Sequence, residues 1–391
     1  MRDDQFVESS NEKMRAEVVR GRLPGLDGIR GLAILVVLVH NVSYFNEPAD
    51  SIAIKLLRVA LGGGWVGVQL FFVLSGFLIT GILLDTKRDA HYFRSFYLRR
   101  ILRIFPLYYL TLVGAFVVLP HVMDLGDWGA RARHVQIWYW TYLMNWTDPF
   151  LGTLPGLSHF WSLAIEEQFY LVWPFVILTL STDRLMRLCG LLVASAFVTR
   201  LVMVWCAAPV EAIYNFTITR WDALACGAAI AVAMRQPGRY ANLQLLLRRA
   251  ALPLTVALLL VVVVDRGMSW SAPMMQTVGY SIVAVLCGWL IVVATDPALP
   301  FKWVRRATAA PVLRFLGKYS YGMYVVHWPI HRLGQVYLTG WVIAGSASMR
   351  PIRLLAYVAA NLILSTAAAV AVFHLVERHF LAMKDRWAKR D

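Results

Sequence analysis

WVGVQLFFVLSGFLITGILL, residues 65–84, runs for twenty residues without a charged side chain. Twenty helical residues rise roughly 30 Å, the depth of the hydrocarbon layer of a bilayer. Comparable apolar blocks recur near 31–46, 104–120, 160–180, 188–208, 222–234, 250–264, 276–295, 315–336 and 354–376. The pattern predicts an all-α, polytopic transmembrane bundle of about ten spans. The aromatic stretch 135–147 is too short to cross alone, and its Trp and Tyr residues suit the headgroup zone. It is expected to form an interfacial or re-entrant helix.

Composition agrees with this pattern. Of 391 residues, 59% are hydrophobic and only 16% charged, against roughly 25% charged in an ordinary globular chain. Mean hydropathy is +0.58. The net charge is +15, but the Lys and Arg residues lie between apolar blocks and form no single stripe. That argues against nucleic-acid binding and for contact with anionic lipid headgroups. With the N-terminus cytoplasmic, 27 of the basic residues fall in cytoplasmic segments and 8 in the opposite loops. The asymmetry predicts an even number of spans with both termini inside.

Residues 1–22 are polar and lack an apolar period, so they are expected to form a cytoplasmic tail. The first apolar block begins only after Arg30, and no signal-peptide cleavage pattern follows it. Residues 23–380 form the membrane domain, and 381–391 a basic cytoplasmic tail. Cys189, Cys206, Cys226 and Cys287 show no metal spacing and no disulfide framework, so they are assigned to packing.

Ionisable residues inside apolar spans each cost about 2.5–3.5 kcal/mol on insertion scales and so need a reason. His40 lies ten residues beyond Arg30, roughly 15 Å into the bilayer. It is either a neutral imidazole satisfied by a neighbouring helix or a general base. Glu166 and Glu167 are adjacent and point about 100° apart on a helix, so they serve different partners. Glu166 is expected to pair with a cation from another span, Arg200 or Arg220; Glu167 is open between packing and function. Arg99, Arg100 and Arg103 lie at the cytoplasmic end of the third span. Arg100 and Arg103 share a face and suit either positive-inside anchoring or a phosphate clamp. Gly62–Gly64 and Gly76 suggest close helix contact. His327 and His331 lack an acidic neighbour, and no metal is expected there.

Six blocks together resemble the membrane acyltransferase type-3 family. They are LPGLDGIRGLAILVVLVHN (23–41), GVQLFFVLSGFLIT (67–80), FYLRRILRIFPLYYL (96–110), HFWSLAIEEQFYLVWP (159–174), TRWDALACGAAIA (219–231) and LGKYSYGMYVVHWPI (316–330). They keep the family's order over nearly the whole chain. The resemblance implies transfer of an acyl group, acetyl in the first instance, from cytoplasmic acyl-CoA to a hydroxyl of a carbohydrate or glycosylated small molecule. It implies a bacterial inner-membrane enzyme without a metal or nucleic-acid partner. By resemblance, Arg30, His40 and Glu167 are catalytic, and Arg100 and Arg103, with Arg99 beside them, hold the acyl-CoA. Many members place ten residues between the Arg and the His, whereas nine separate Arg30 from His40. With few residues left after the last span, no appended hydrolase-like domain is expected, which favours a small or lipid-linked acceptor. His40 then acts as a base or as a transient acyl carrier. A proton-coupled transporter using His40 and Glu167 as a relay is the competing class, although the two halves of the chain show no inverted repeat.

Overall fold

The computed structural model describes residues 24–42, 61–122, 124–343 and 349–387. The expected N-terminal tail (1–22) and the last four residues of the C-terminal tail lie outside them. Among the described residues every regular element is a helix. They are α1 (Pro24–Val42), α2 (Val66–Asp85), α3 (Tyr92–Val113), α4 (Gly126–Trp140), α5 (Met144–Leu151), α6 (Phe160–Thr179), α7 (Thr182–Trp205), α8 (Val210–Asn215), α9 (Thr217–Ala233), α10 (Pro237–Val264), α11 (Tyr280–Thr295), α12 (Lys302–Thr308), α13 (Pro311–Ile343), α14 (Arg350–Val372) and α15 (Arg378–Trp387).

Among the described residues, eight helical stretches are long and apolar enough to cross a membrane: α1, α2, α3 continued to Val122, α7, α8 with α9, α10, α11 with its preceding turn, and α14 continued to Met383. The chain is a multi-pass membrane protein. Two expected spans fall outside the eight, although α6 and α13 are 20 and 33 residues long. The cause is polarity, since α6 carries Glu166, Glu167 and Gln168, and α13 carries Arg314, Lys318, His327, His331 and Arg332. The aromatic stretch 135–147 is split between α4 and α5. Tyr142 breaks it with a φ of 56°, a left-handed conformation that ends the first helix.

The chain divides into two compact units. The first comprises residues 1–35, 65–92 and 168–318. Its centre is the contact of α2 with α9, where two glycines bring the backbones together. A Cβ on Gly76 would lie 1.9 Å from the Leu224 carbonyl oxygen, and one on Gly227 1.9 Å from that of Val73. In lipid, helix association depends on such close packing, because burying apolar surface there gains nothing. A buried ionic cluster lies inside this unit. Arg200 of α7 meets Asp222 of α9 at 2.9 Å, with both side chains fully buried, and Ser281 of α11 donates to Asp222 and accepts from Arg200. Arg220, which the span boundaries place in a loop, lies fully buried within α9 among the rings of Tyr280, Tyr214 and Phe72. Arg200, one of the two cations expected to meet Glu166, is thus engaged by Asp222 and Ser281 within this unit. Of the cysteines, Cys189 and Cys287 are buried, but Cys206 is exposed at the end of α7.

The second unit comprises residues 36–64, 93–167 and 319–391. Aromatic side chains fasten α3 to the α4–α5 break. Tyr108 stacks on Tyr142 with ring centres 4.1 Å apart and donates its hydroxyl to the Tyr139 carbonyl at 2.7 Å. Tyr139 in turn donates to Asp148 Oδ2 at 2.9 Å.

Candidate active site

His40 stands near the C-terminal end of α1 and is only 7% exposed. Its Nδ1 lies 2.9 Å from the Leu61 carbonyl oxygen. A carbonyl only accepts, so Nδ1 carries the proton and the lone pair of the neutral ring sits on Nε2. The backbone thus sets the tautomer, a task a carboxylate such as Glu167 could have performed. Gly64 completes the seat, because its missing side chain leaves room for the imidazole stem.

The next residue anchors the helix end. Asn41 Nδ2 donates to His327 Nε2 at 3.0 Å, while His327 Nδ1 donates to the Tyr324 carbonyl at 2.6 Å. The His327 ring meets His159 edge to face, centres 4.8 Å apart. His331 and Tyr357 share a hydrogen bond of 3.0 Å. The two α13 histidines are thus engaged in separate protein contacts.

A second cluster gathers charge. Arg100 of α3 is half-buried, packs over the Phe96 ring at 5.8 Å and interacts with Glu167 of α6. Glu166 adds like charge beside Glu167. Arg103, one helical turn beyond Arg100, is also half-buried, whereas Arg99 is exposed. The hydroxyls of Tyr108, Tyr109, Tyr142 and Tyr321 lie in the field of Glu167. Tyr321 donates to the Ile104 carbonyl at 2.6 Å, beside Arg103. Arg30 belongs to the other unit, where it meets Asp27 at 2.7 Å on the same helix.

Outside the spans, Asp148 on the short α5 is 2% exposed. Burial pushes its carboxyl up to about 7, and the Tyr139 hydroxyl opposes part of that rise.

Two participants escaped the sequence reading. Leu61 acts through its carbonyl, which leaves no mark in a side-chain pattern. Glu377 is 8% exposed and interacts with Arg103, yet it lies one residue past the expected end of the last span, beside Arg378, and reads as a cytoplasmic charge. The available signal was a carboxylate directly after an apolar span, in a segment that is otherwise mostly basic.

A family model described as an acyltransferase domain matches residues 23–370. The Bacillus subtilis protein YrhL, provisionally named a peptidoglycan O-acetyltransferase, is 30% identical over 328 residues, covering 79% of this chain and 48% of its own. The peptidoglycan O-acetyltransferase OatA of Listeria monocytogenes is 29% identical over 328 residues, covering 80% of this chain and 50% of its own. The chain thus spans about half the length of the curated relatives it matches. No solved structure matches it.

Proposed function

The chain belongs to the acyltransferase-3 family, and from that premise we propose that it is an integral membrane O-acetyltransferase acting on a glycan hydroxyl. In this reading ten spans cross a bacterial inner membrane with both termini in the cytoplasm. α6 and α13 complete the set, with His327 and His331 of α13 buried in protein instead of facing lipid. Acetyl-CoA is the donor, and Arg100 and Arg103 hold its phosphates at the cytoplasmic side, where guanidinium forks match phosphate geometry. Exposed Arg99 adds positive potential at the entrance. The names of the relatives favour a cell-wall type of glycan as the acceptor.

The observation that carries the reading is the hydrogen bond from His40 Nδ1 to the Leu61 carbonyl. It presents Nε2 as a proton acceptor in a buried setting, as a general base requires. The acceptor O–H gives its proton to Nε2 while its oxygen bonds to the thioester carbonyl carbon. The C–S bond then breaks, and the thiolate takes the proton back from the imidazolium to leave as CoA thiol. Glu167, beside Arg100, balances the clamp's charge, and Arg30 supplies a second cation on the helix of His40.

The test uses purified full chain in detergent with labelled acetyl-CoA and glycan fragments. His40→Ala is expected to abolish transfer with folding intact. Arg100→Ala with Arg103→Ala is expected to raise KM for acetyl-CoA at least tenfold. Undiminished turnover by the His40 variant overturns the assignment.

A further inference from the structure

The chemistry above makes no use of His327, although a fully buried imidazole in a membrane-embedded helix calls for a reason. Its setting repeats that of His40. In each ring Nδ1 donates to a backbone carbonyl, of Leu61 for His40 and of Tyr324 for His327, which leaves the lone pair on Nε2. At His327 that lone pair accepts from Asn41 Nδ2 at 3.0 Å. Asn41 directly follows His40 in the last turn of α1. The accepting ring is itself held fast. It sits among the rings of His159, Tyr324 and Trp328, with centres 4.8, 5.5 and 6.1 Å away. The Tyr324 hydroxyl donates to the His159 carbonyl at 3.0 Å, which ties α13 to the residue before α6.

We propose that His327 is a positioning residue for His40, acting through Asn41 to fix the rotation of the turn that carries the imidazole. The inference rests on the reading of His40 as the base. Apolar contacts also hold this end of α1, since Val42 packs with Val342, Leu354, Tyr357 and Val358. Such contacts are non-directional and let a helix turn about its axis at little cost. A hydrogen bond weakens steeply with angle, so the bond between Asn41 and His327 resists that rotation. Turning α1 would swing His40 away from the Leu61 carbonyl and re-aim Nε2. His327 therefore touches no reacting atom, yet it decides where the proton acceptor points.

Initial rates of acetyl transfer from acetyl-CoA to N-acetylglucosamine oligomers by the full chain in detergent test this, beside hydrogen exchange of the α1 amides. His327→Phe keeps an aromatic ring and removes the acceptor. It is expected to lower kcat by about tenfold or more with KM for acetyl-CoA little changed, because a small displacement of a base costs rate. Asn41→Leu removes the donor at similar volume and should lose as much, which gives a second reading if the phenylalanine variant is poorly folded. Both substitutions act on one bond, so the double variant should lose no more than either alone. His327→Gln carries a side-chain oxygen near the place of Nε2 and should recover most of the rate. Exchange in the last turn of α1 should quicken in the phenylalanine and leucine variants alike, an effect read without substrate. A kcat kept by either single variant, exchange that stays slow, or losses that multiply in the double variant each overturns the inference and leaves His40 as the base. Undiminished turnover by His40→Ala removes the base and the inference together.

Discussion

Gly64 lies so close to His40 that a Cβ on the glycine would stand 2.2 Å from the His40 Cβ and 2.5 Å from the Val36 carbonyl oxygen. Both contacts are shorter than real Cβ atoms tolerate, and the nearer one is with the stem of the imidazole rather than its flexible end. Gly64→Ala is therefore expected to turn or displace His40 and loosen its bond to Leu61. A displacement near 1 Å can cost about a hundredfold in rate. Initial rates beside thermal melting in detergent should show a large loss of kcat with a smaller change in melting temperature.

Arg100 and Glu167 are expected to be energetically coupled. Removing the cation leaves a carboxylate without its counter-charge beside Glu166, whereas removing both charges leaves no such deficit. Arg100→Met should lower stability more than Arg100→Met with Glu167→Gln, by about 1–3 kcal/mol. A double-mutant cycle of unfolding or detergent-melting data measures the difference. A double-variant loss equal to the sum of the two single losses would show that the two side chains act independently.

Asp148 should make stability depend on pH. Its carboxyl is raised by burial to about 7, so between the ordinary carboxylate range and pH 7 the folded state holds a proton that the unfolded chain has released. Stability therefore falls as pH rises through that window and levels off above it. Asp148→Asn retains an acceptor for Tyr139 and removes the charge. It should flatten the melting profile between pH 5 and 8 and raise the melting temperature at pH 8 by roughly a few degrees.

Gly227→Ala should disturb the first unit without touching the candidate site. The added methyl would meet the Val73 carbonyl at 1.9 Å and the Phe77 nitrogen at 2.6 Å, both backbone atoms that cannot rotate away. Overpacking of this kind costs about 1–3 kcal/mol, and more where backbone must shift. Size-exclusion chromatography from detergent should show a reduced yield of monodisperse protein. Gly190→Ala, which meets nothing within 4 Å, serves as the control.

Much of the fold was legible because the bilayer imposes length and apolarity on every span. Residues 65–84 contain no charge, and the helix bounds there differ from the expected ones by a residue. Legibility failed where a charged side chain is satisfied inside protein. Arg220 and Asp222 look like a span boundary, yet aromatic faces and Arg200 allow the helix to begin earlier, at Thr217. At the candidate site, His40, Arg100, Arg103 and Glu167 stood out by their cost in an apolar setting. The partner of His40 did not: the Leu61 carbonyl is set by backbone path, and composition carries no trace of that.

The buried charges of the first unit also prescribe an order of assembly. Arg200 leaves the ribosome on α7, Asp222 and Arg220 on α9, and the ring of Tyr280 with Ser281 only on α11. Until residue 281 has been made, Arg220 lacks part of its aromatic enclosure and the Arg200–Asp222 pair lacks its hydroxyl bridge. A helix carrying an unscreened arginine partitions poorly into lipid on its own. The segments from α7 to α11 are therefore expected to settle in the bilayer together, and truncation before Tyr280 should leave a chain that cannot settle.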